Sequence, residues 1–248
     1  MFLRMVSMVV RAEDSVIFAR EYDSNIITAL QHQPGCCFAT LLQNTTDSKD
    51  CISLTIWESK RLADEYEKSG VFKQLVESLR SFYEESNDWE LKLTDDLSIE
   101  YTPVQLDPSV KGFDENDTEK TYNLKFNITP YAVKVITLTV QADRIQEFQE
   151  IFTAKVLPKF STQKGFIHII LLRKENEFNI ISFWDETIDL GSSLGEQTLH
   201  ALSRSIFELL PSSVRWQVSH KTSRSSFASS EEMTASVYRC LTSAWFSS

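Results

Sequence analysis

Histidine, cysteine and tryptophan are the residues of this chain best able to do chemistry, and their spacing narrows what that chemistry is. The four cysteines, Cys36, Cys37, Cys51 and Cys240, contain no C-x-x-C step and lie near no histidine pair, which argues against a zinc site. They read as reduced, partly buried thiols. His32 and His220 fall near element ends and read as solvent-facing. His168 is different. It sits in the apolar run 166–172, where an imidazole loses hydration unless it finds a partner. It reads first as a satisfied core histidine and second as a base. No glycine loop suited to a phosphate, no nucleophile elbow and no carboxylate–histidine set with metal spacing occurs.

The elements that position these residues occur twice. Shifted by 130 positions, Val10 falls on Val140, Ala12 on Ala142, Phe18 on Phe148 and Gly35 on Gly165. Beyond a hairpin that is shorter in the second copy the shift is 127, and Trp57 meets Trp184 while Trp89 meets Trp216. A chain of 248 residues with 42% hydrophobic content has room for two cores. Each copy opens with an apolar strand, 3–11 and 132–141. A helix follows, with Phe18, Tyr22, Ile26, Ile27 and Leu30 answering Phe148, Phe152, Val156, Leu157 and Phe160 at helical spacing. Gly35 and Gly165 stop it. Hairpins over 36–57 and 166–184 come next, then a second helical region and a strand starting at Trp89 or Trp216.

The order β-α-β-β-α-β is the ferredoxin-like arrangement, so the fold class is α+β with two tandem units. Run 166–172 is apolar on both faces and must be covered on both. Two antiparallel sheets packed face to face through their bare sides would do this, giving a barrel closed within one chain. The expected organisation is a first half over 1–94, an acidic connector over 95–130 with a possible edge strand at 97–105, a second half over 131–220, and a Ser-rich link and terminal helix over 221–248. The helix rests on Met233, Val237, Tyr238, Leu241 and Trp245 at roughly helical spacing after a capping-box-like Ser229-Ser230-Glu231-Glu232.

A formal charge of −10 argues against nucleic acid or an anionic membrane as partner. Segment 1–10, with Arg4 ahead of apolar residues, is too short for a secretory signal, and 5–10 matches 135–140 as strand. A cytoplasmic protein is expected, either a monomer with an internal pseudo-dimer or a homodimer.

Pro34-Gly35-Cys36, Leu54-Thr55-Ile56-Trp57-Glu58-Ser59 and Ser69-Gly70-Val71-Phe72 together resemble the antibiotic biosynthesis monooxygenase family of dimeric α+β barrels. The second copy keeps Trp184-Asp185 but has Glu186 in place of the serine. The resemblance implies a cavity in each half, between sheet and helices, and a monooxygenase that oxidises a small aromatic or quinol with molecular oxygen and no metal or other cofactor. It leaves the catalytic residues unassigned. Candidate substrate-binding residues are Trp57, Tyr66, Phe72 and Phe38 in the first copy and His168, Trp184 and His200 in the second. Each has a plainer reading. The tryptophans serve as core anchors, Tyr66 lies on an apolar helical stripe, and His200 aligns with Lys73 on a surface position. A haem-degrading relative places an asparagine, a tryptophan and an iron-ligating histidine where this chain has Ser7, Tyr66 and Val76, so its haem site does not carry over. The alternative to an enzyme is a non-catalytic barrel that binds a small hydrophobic ligand or a protein partner.

Overall fold

The computed structural model describes residues 1–93, 99–115, 131–185, 202, 204–212, 215 and 233–246. The chain divides into two compact units, Met1–Gly112 with Leu241–Ser248, and Phe113–Cys240. The class is α+β, and the two units are tandem ferredoxin-like modules.

The first unit starts with β1 (Phe2–Val9). A continuous helical run follows: α1 (Ser15–Glu21), a π-helical turn over Tyr22–Ile27, and α2 (Thr28–Gln31). The hairpin β2 (Cys36–Asn44) and β3 (Asp50–Trp57) comes next, then α3 (Lys60–Lys68) and α4 (Val71–Ser78). β1 pairs antiparallel with β3, and β3 with β2. Beyond these lie β4 (Glu85–Leu93) and β5 (Ile99–Gln105), paired as a separate two-stranded sheet, and β6 (Ser109–Glu115), within which the unit boundary falls.

The second unit repeats the plan with β7 (Tyr131–Thr139), α5 (Ile145–Ile151), a π-helical turn over Phe152–Val156, α6 (Leu157–Ser161), β8 (Phe166–Lys174) and β9 (Glu177–Asp185). β9 lies between β7 and β8. The last strand, β10 (Met233–Trp245), pairs along β7 from Met233 to Arg239.

The repeat reaches single hydrogen bonds. Gly35 and Gly165 both adopt positive φ, 75° and 76°. Each carbonyl then accepts from the residue after the tryptophan, Glu58 N–H to Gly35 and Asp185 N–H to Gly165, both at 2.8 Å. Val10 N–H donates to Lys49 O as Val140 N–H does to Asn176 O. The glycines can take this left-handed backbone because they lack Cβ, and the helix stop thereby becomes the tie between helix end and third strand.

Two expectations need correction. The terminal segment is a 13-residue strand, not a helix. Met233, Val237, Leu241 and Trp245 recur every four residues, a step that also returns to the same face of a strand. Thr, Val, Tyr and Trp in this stretch favour the extended form. In the first unit its end lies beside β2, with Thr40 Oγ1 donating to Thr242 O at 2.9 Å and Phe246 N–H to Cys37 O at 2.9 Å. The strand at Trp89 exists, but it pairs with β5 outside the main sheet. The strand expected at Trp216 lies outside the described residues. No helix among those described is long and apolar enough to cross a membrane.

Gly35 and Gly70 separate conformational strain from steric clash. A Cβ on Gly35 would lie 2.3 Å from Leu62 Cδ1, whereas one on Gly70 (φ 82°) meets nothing within 4 Å. Gly35→Ala is expected to destabilise by about 2–4 kcal/mol, and Gly70→Ala by about 1 kcal/mol from backbone strain alone. Urea midpoints of the two variants measure the difference; equal losses would rule out the Leu62 contact as its source.

Candidate functional site

Strand alternation decides what faces the helices of the first unit. Arg4, Val6 and Met8 of β1 share a face with Ser53 and Thr55 of β3, because Arg4 pairs with Thr55 and Val6 with Ser53. Above them the helical run presents Tyr22, Ile26 and Leu30, spaced by four, and α3 and α4 present Tyr66 and Phe72. These groups line a half-open cavity of about 40 Å³.

Two serines aim the helices. Ser59 caps α3 by accepting from Leu62 N–H at 3.4 Å. Ser69 donates to Tyr66 O at 2.7 Å and accepts from Val71 N–H at 3.3 Å, while Gly70 turns left-handed between α3 and α4. The break redirects α4 so that Phe72 reaches the β1 side of the cavity.

The tryptophan is an anchor. Trp57 is fully buried and donates its indole N–H to Thr55 Oγ1 at 2.9 Å. Its ring supports Tyr66 at 5.0 Å, and Tyr66 meets Phe72 edge-on at 6.0 Å. Phe72 in turn lies under the Arg4 guanidinium, 4.1 Å from ring centroid to Cζ, with Tyr66 at 5.7 Å. Arg4 is 3% exposed. Its Nη2 lies 3.3 Å from the Glu67 carboxylate, yet Nε and Nη2 are buried without a hydrogen bond. Burial lowers its pKa against the opposing pull of Glu67, but a guanidinium remains a cation at any physiological pH.

The other polar groups are neutral. Tyr22 and Ser53 share a hydrogen bond of 2.6 Å. Burial raises the Tyr22 and Tyr66 phenols well above their ordinary value and pushes Tyr83 to about 12. Arg4 is thus the ionised side chain among the residues lining an otherwise neutral, mostly apolar cavity. Cys36 is likewise pushed to about 12 by burial, as an inert thiol would be. Among the described residues no three His, Cys, Asp or Glu side chains come together as metal ligands would.

The seven sequence candidates therefore separate. Tyr66 and Phe72 line the cavity, and Trp57 stands behind Tyr66. Phe38 pairs with Ile56, on the sheet face turned away from the helices, and stacks on Trp245 at 4.4 Å. His168 holds the same position in the second unit, paired with Phe183. Trp184 repeats the anchor, donating to Ser182 Oγ at 2.8 Å. His200 lies outside the described residues. Arg4, Tyr22, Ser53 and Thr55 were missed. The signal for Arg4 was a lone charge in an apolar strand, matched by Lys134 at the same place in the repeat.

The second unit lacks the polar pair. Phe152 and Ile180 stand where Tyr22 and Ser53 do, and both are buried in its apolar core. Lys134 replaces Arg4 and is 5% exposed, on the same face as Ser182.

A sequence model of the family described as antibiotic biosynthesis monooxygenase matches residues 1–78 and 132–196, more than half of the chain. No curated protein matches the chain. Among solved structures it is similar to a proposed monooxygenase from Lactobacillus acidophilus NCFM, at 8% identity over 98% of this chain and 95% of the other, with a TM-score of 0.58. It is also similar to one from Fusobacterium nucleatum subsp. nucleatum ATCC 25586, at 11% identity, 98% and 94% coverage and a TM-score of 0.59. An anthrone oxidase-like protein aligns at 8% identity, 100% and 94% coverage and a TM-score of 0.53. At these identities the likeness is one of fold.

The contrast between Phe38 and His168 has a pH signature. Burial lowers the His168 pKa to about 4, whereas the unfolded chain titrates near 6.5. Above pH 6.5 neither state is protonated and stability is unaffected. As pH falls from 6.5 towards 4 only the unfolded state gains the proton, so stability is lost. His168→Phe, which installs the first-copy residue, is expected to flatten this decline by on the order of 1–2 kcal/mol, allowing for partial exposure. Thermal midpoints between pH 4 and 8 measure it; parallel curves for the two proteins would refute it.

Proposed function

The chain belongs to the antibiotic biosynthesis monooxygenase family, and from that premise we propose that its first unit is a cofactor-independent monooxygenase acting on a small aromatic or quinol. The observation that carries the reading is the cavity between β1, β3 and α3, α4, walled by Tyr66, Phe72 and aliphatic side chains. Such a site holds an electron-rich ring by its faces against a mostly apolar wall. The chemistry asks little more of the protein. The ring carbon that is a methylene in the substrate's keto tautomer exchanges two C–H bonds for C=O, the second oxygen atom of O₂ leaves as water, and the substrate itself is the reductant.

Cavity size sets how the substrate enters. An enclosed site that holds benzene measures roughly 150 Å³, several times the space found here, about 40 Å³. A ring enters by displacing a wall. α4 is the wall able to move. None of its residues is fully buried, and it begins at left-handed Gly70.

The second unit supplies a control. Tyr22→Phe with Ser53→Ile gives the cavity the residues of the second copy, removes one hydrogen bond with both its partners, and adds apolar volume. The double variant is expected to keep its thermal midpoint within a few degrees and to lose at least tenfold of its oxygen uptake on quinols and anthrone-type phenols of increasing size. His168→Phe is expected to leave uptake unchanged. An oxygen electrode reads both. Absence of wild-type uptake above background across the panel would overturn the enzymatic reading in favour of a binding protein.

A further inference from the structure

A cation buried in a sheet is costly unless something answers it. Water no longer reaches Arg4 Nε and Nη2, and no hydrogen bond replaces it. The compensation present is partial: an ion pair of 3.3 Å to Glu67, whose side chain is 58% exposed, and the faces of Phe72 and Tyr66. An exposed partner pulls weakly because solvent screens it, and ring faces give no acceptor for N–H groups. The geometry leaves donors of a planar guanidinium unmet on a residue that lines the cavity.

The rest of the site fits the same deficit. No carboxylate lines the cavity, and its phenols, Tyr22, Tyr66 and Tyr83, stay protonated. The acids near Arg4, Glu67 and Asp64, belong to α3 and lie on its outer side, Asp64 paired with Lys60. The hydroxyls of Tyr22 and Ser53 supply a neutral polar contact elsewhere on the wall. The repeat also keeps a buried basic residue at this strand position, Lys134, while changing most cavity residues around it.

We propose that the first-unit cavity is an organic-anion site in which Arg4 binds the ionised oxygen of the ligand, a phenolate, enolate or carboxylate, with the apolar body against Phe72 and Tyr66. This deepens the oxygenase reading by naming the form of the substrate that is bound, and it rests on that reading only for the claim that the ligand is oxidised. A phenol binds as its anion, and its proton leaves to the buffer. The pairing answers the unmet N–H groups, and low polarity around it strengthens the attraction.

4-Nitrophenol tests the site without any turnover, because its ionised form absorbs in the visible. Bound to the full chain, its apparent pKa is expected to fall by about one unit, and the anion is expected to bind at least tenfold tighter than neutral 4-nitroanisole. Arg4→Met keeps an apolar stem and removes the charge. It is expected to abolish the pKa shift and weaken anion binding tenfold or more, with 4-nitroanisole affinity changed less than threefold. Arg4→Lys is expected to retain part of the shift. Should Arg4→Met fail to fold, Glu67→Gln is the second variant. It removes the competing carboxylate and is expected to tighten anion binding several-fold. Equal affinity for anion and ether in the wild type, or a Glu67→Gln variant that binds the anion no tighter, would overturn the proposal. Anion selectivity with no oxygen uptake on any quinol would sink the oxygenase reading alone. Uptake on neutral and acidic substrates alike, unaffected by Arg4→Met, would sink the anion site alone.

Discussion

A tryptophan ring buried at a strand end must find an acceptor for its N–H, and much of each unit is arranged around that need. In both copies the acceptor is a hydroxyl two residues earlier on the same strand, Thr55 or Ser182, which faces the same side because strands alternate with a period of two. Both hydroxyls also lie within reach of a backbone carbonyl on the first strand of the unit, Arg4 O at 3.5 Å and Lys134 O at 3.3 Å. One ring thus ties two strands together. In the first unit it also sets an order of contacts running outward from the core, Trp57 to Tyr66 to Phe72 to Arg4. The place of the cavity cation depends on the place of the indole.

This chain of contacts explains which parts of the fold were legible. Periodicity, the Gly35 and Gly165 helix stops and the tryptophan pair are local patterns, and the structure keeps them. Pairing across long sequence distance leaves no such pattern. Thr242 meets Thr40 about 200 positions away, and nothing between them marks the contact. The terminal strand is ambiguous in the sequence for that reason, since a step of four residues suits helix and strand equally and only the partner distinguishes them. The same holds for Trp89: its strand and the edge strand at 97–105 are both legible in the sequence, but their pairing with each other outside the main sheet is not.

The site was less legible than the fold. Tyr66 and Phe72 carry visible family motifs, because Ser59 and Ser69 are helix caps and caps have sequence rules. Phe38 and His168 drew attention as the sharpest difference between copies, yet register puts both on the face away from the helices. In the sequence Arg4 is only a charge near the N-terminus. Its significance comes from burial, and burial follows from pairing with Thr55 in the middle strand. A charged residue in a strand is ambiguous until its neighbours across the sheet are known.

The two units show that backbone and cavity diverge independently. The same carbonyls, indoles and left-handed glycines recur, while Tyr22 and Ser53 give way to Phe152 and Ile180. Charge behaves in the same independent manner. The chain carries −10 formally, which taken alone would predict poor affinity for anions. Surface charges are screened within about 8–10 Å at ordinary ionic strength, whereas a buried guanidinium acts on its immediate neighbour with less screening. The composition therefore describes which macromolecules the surface repels, and Arg4, one residue at 3% exposure, determines the sign of the potential where a small ligand would sit.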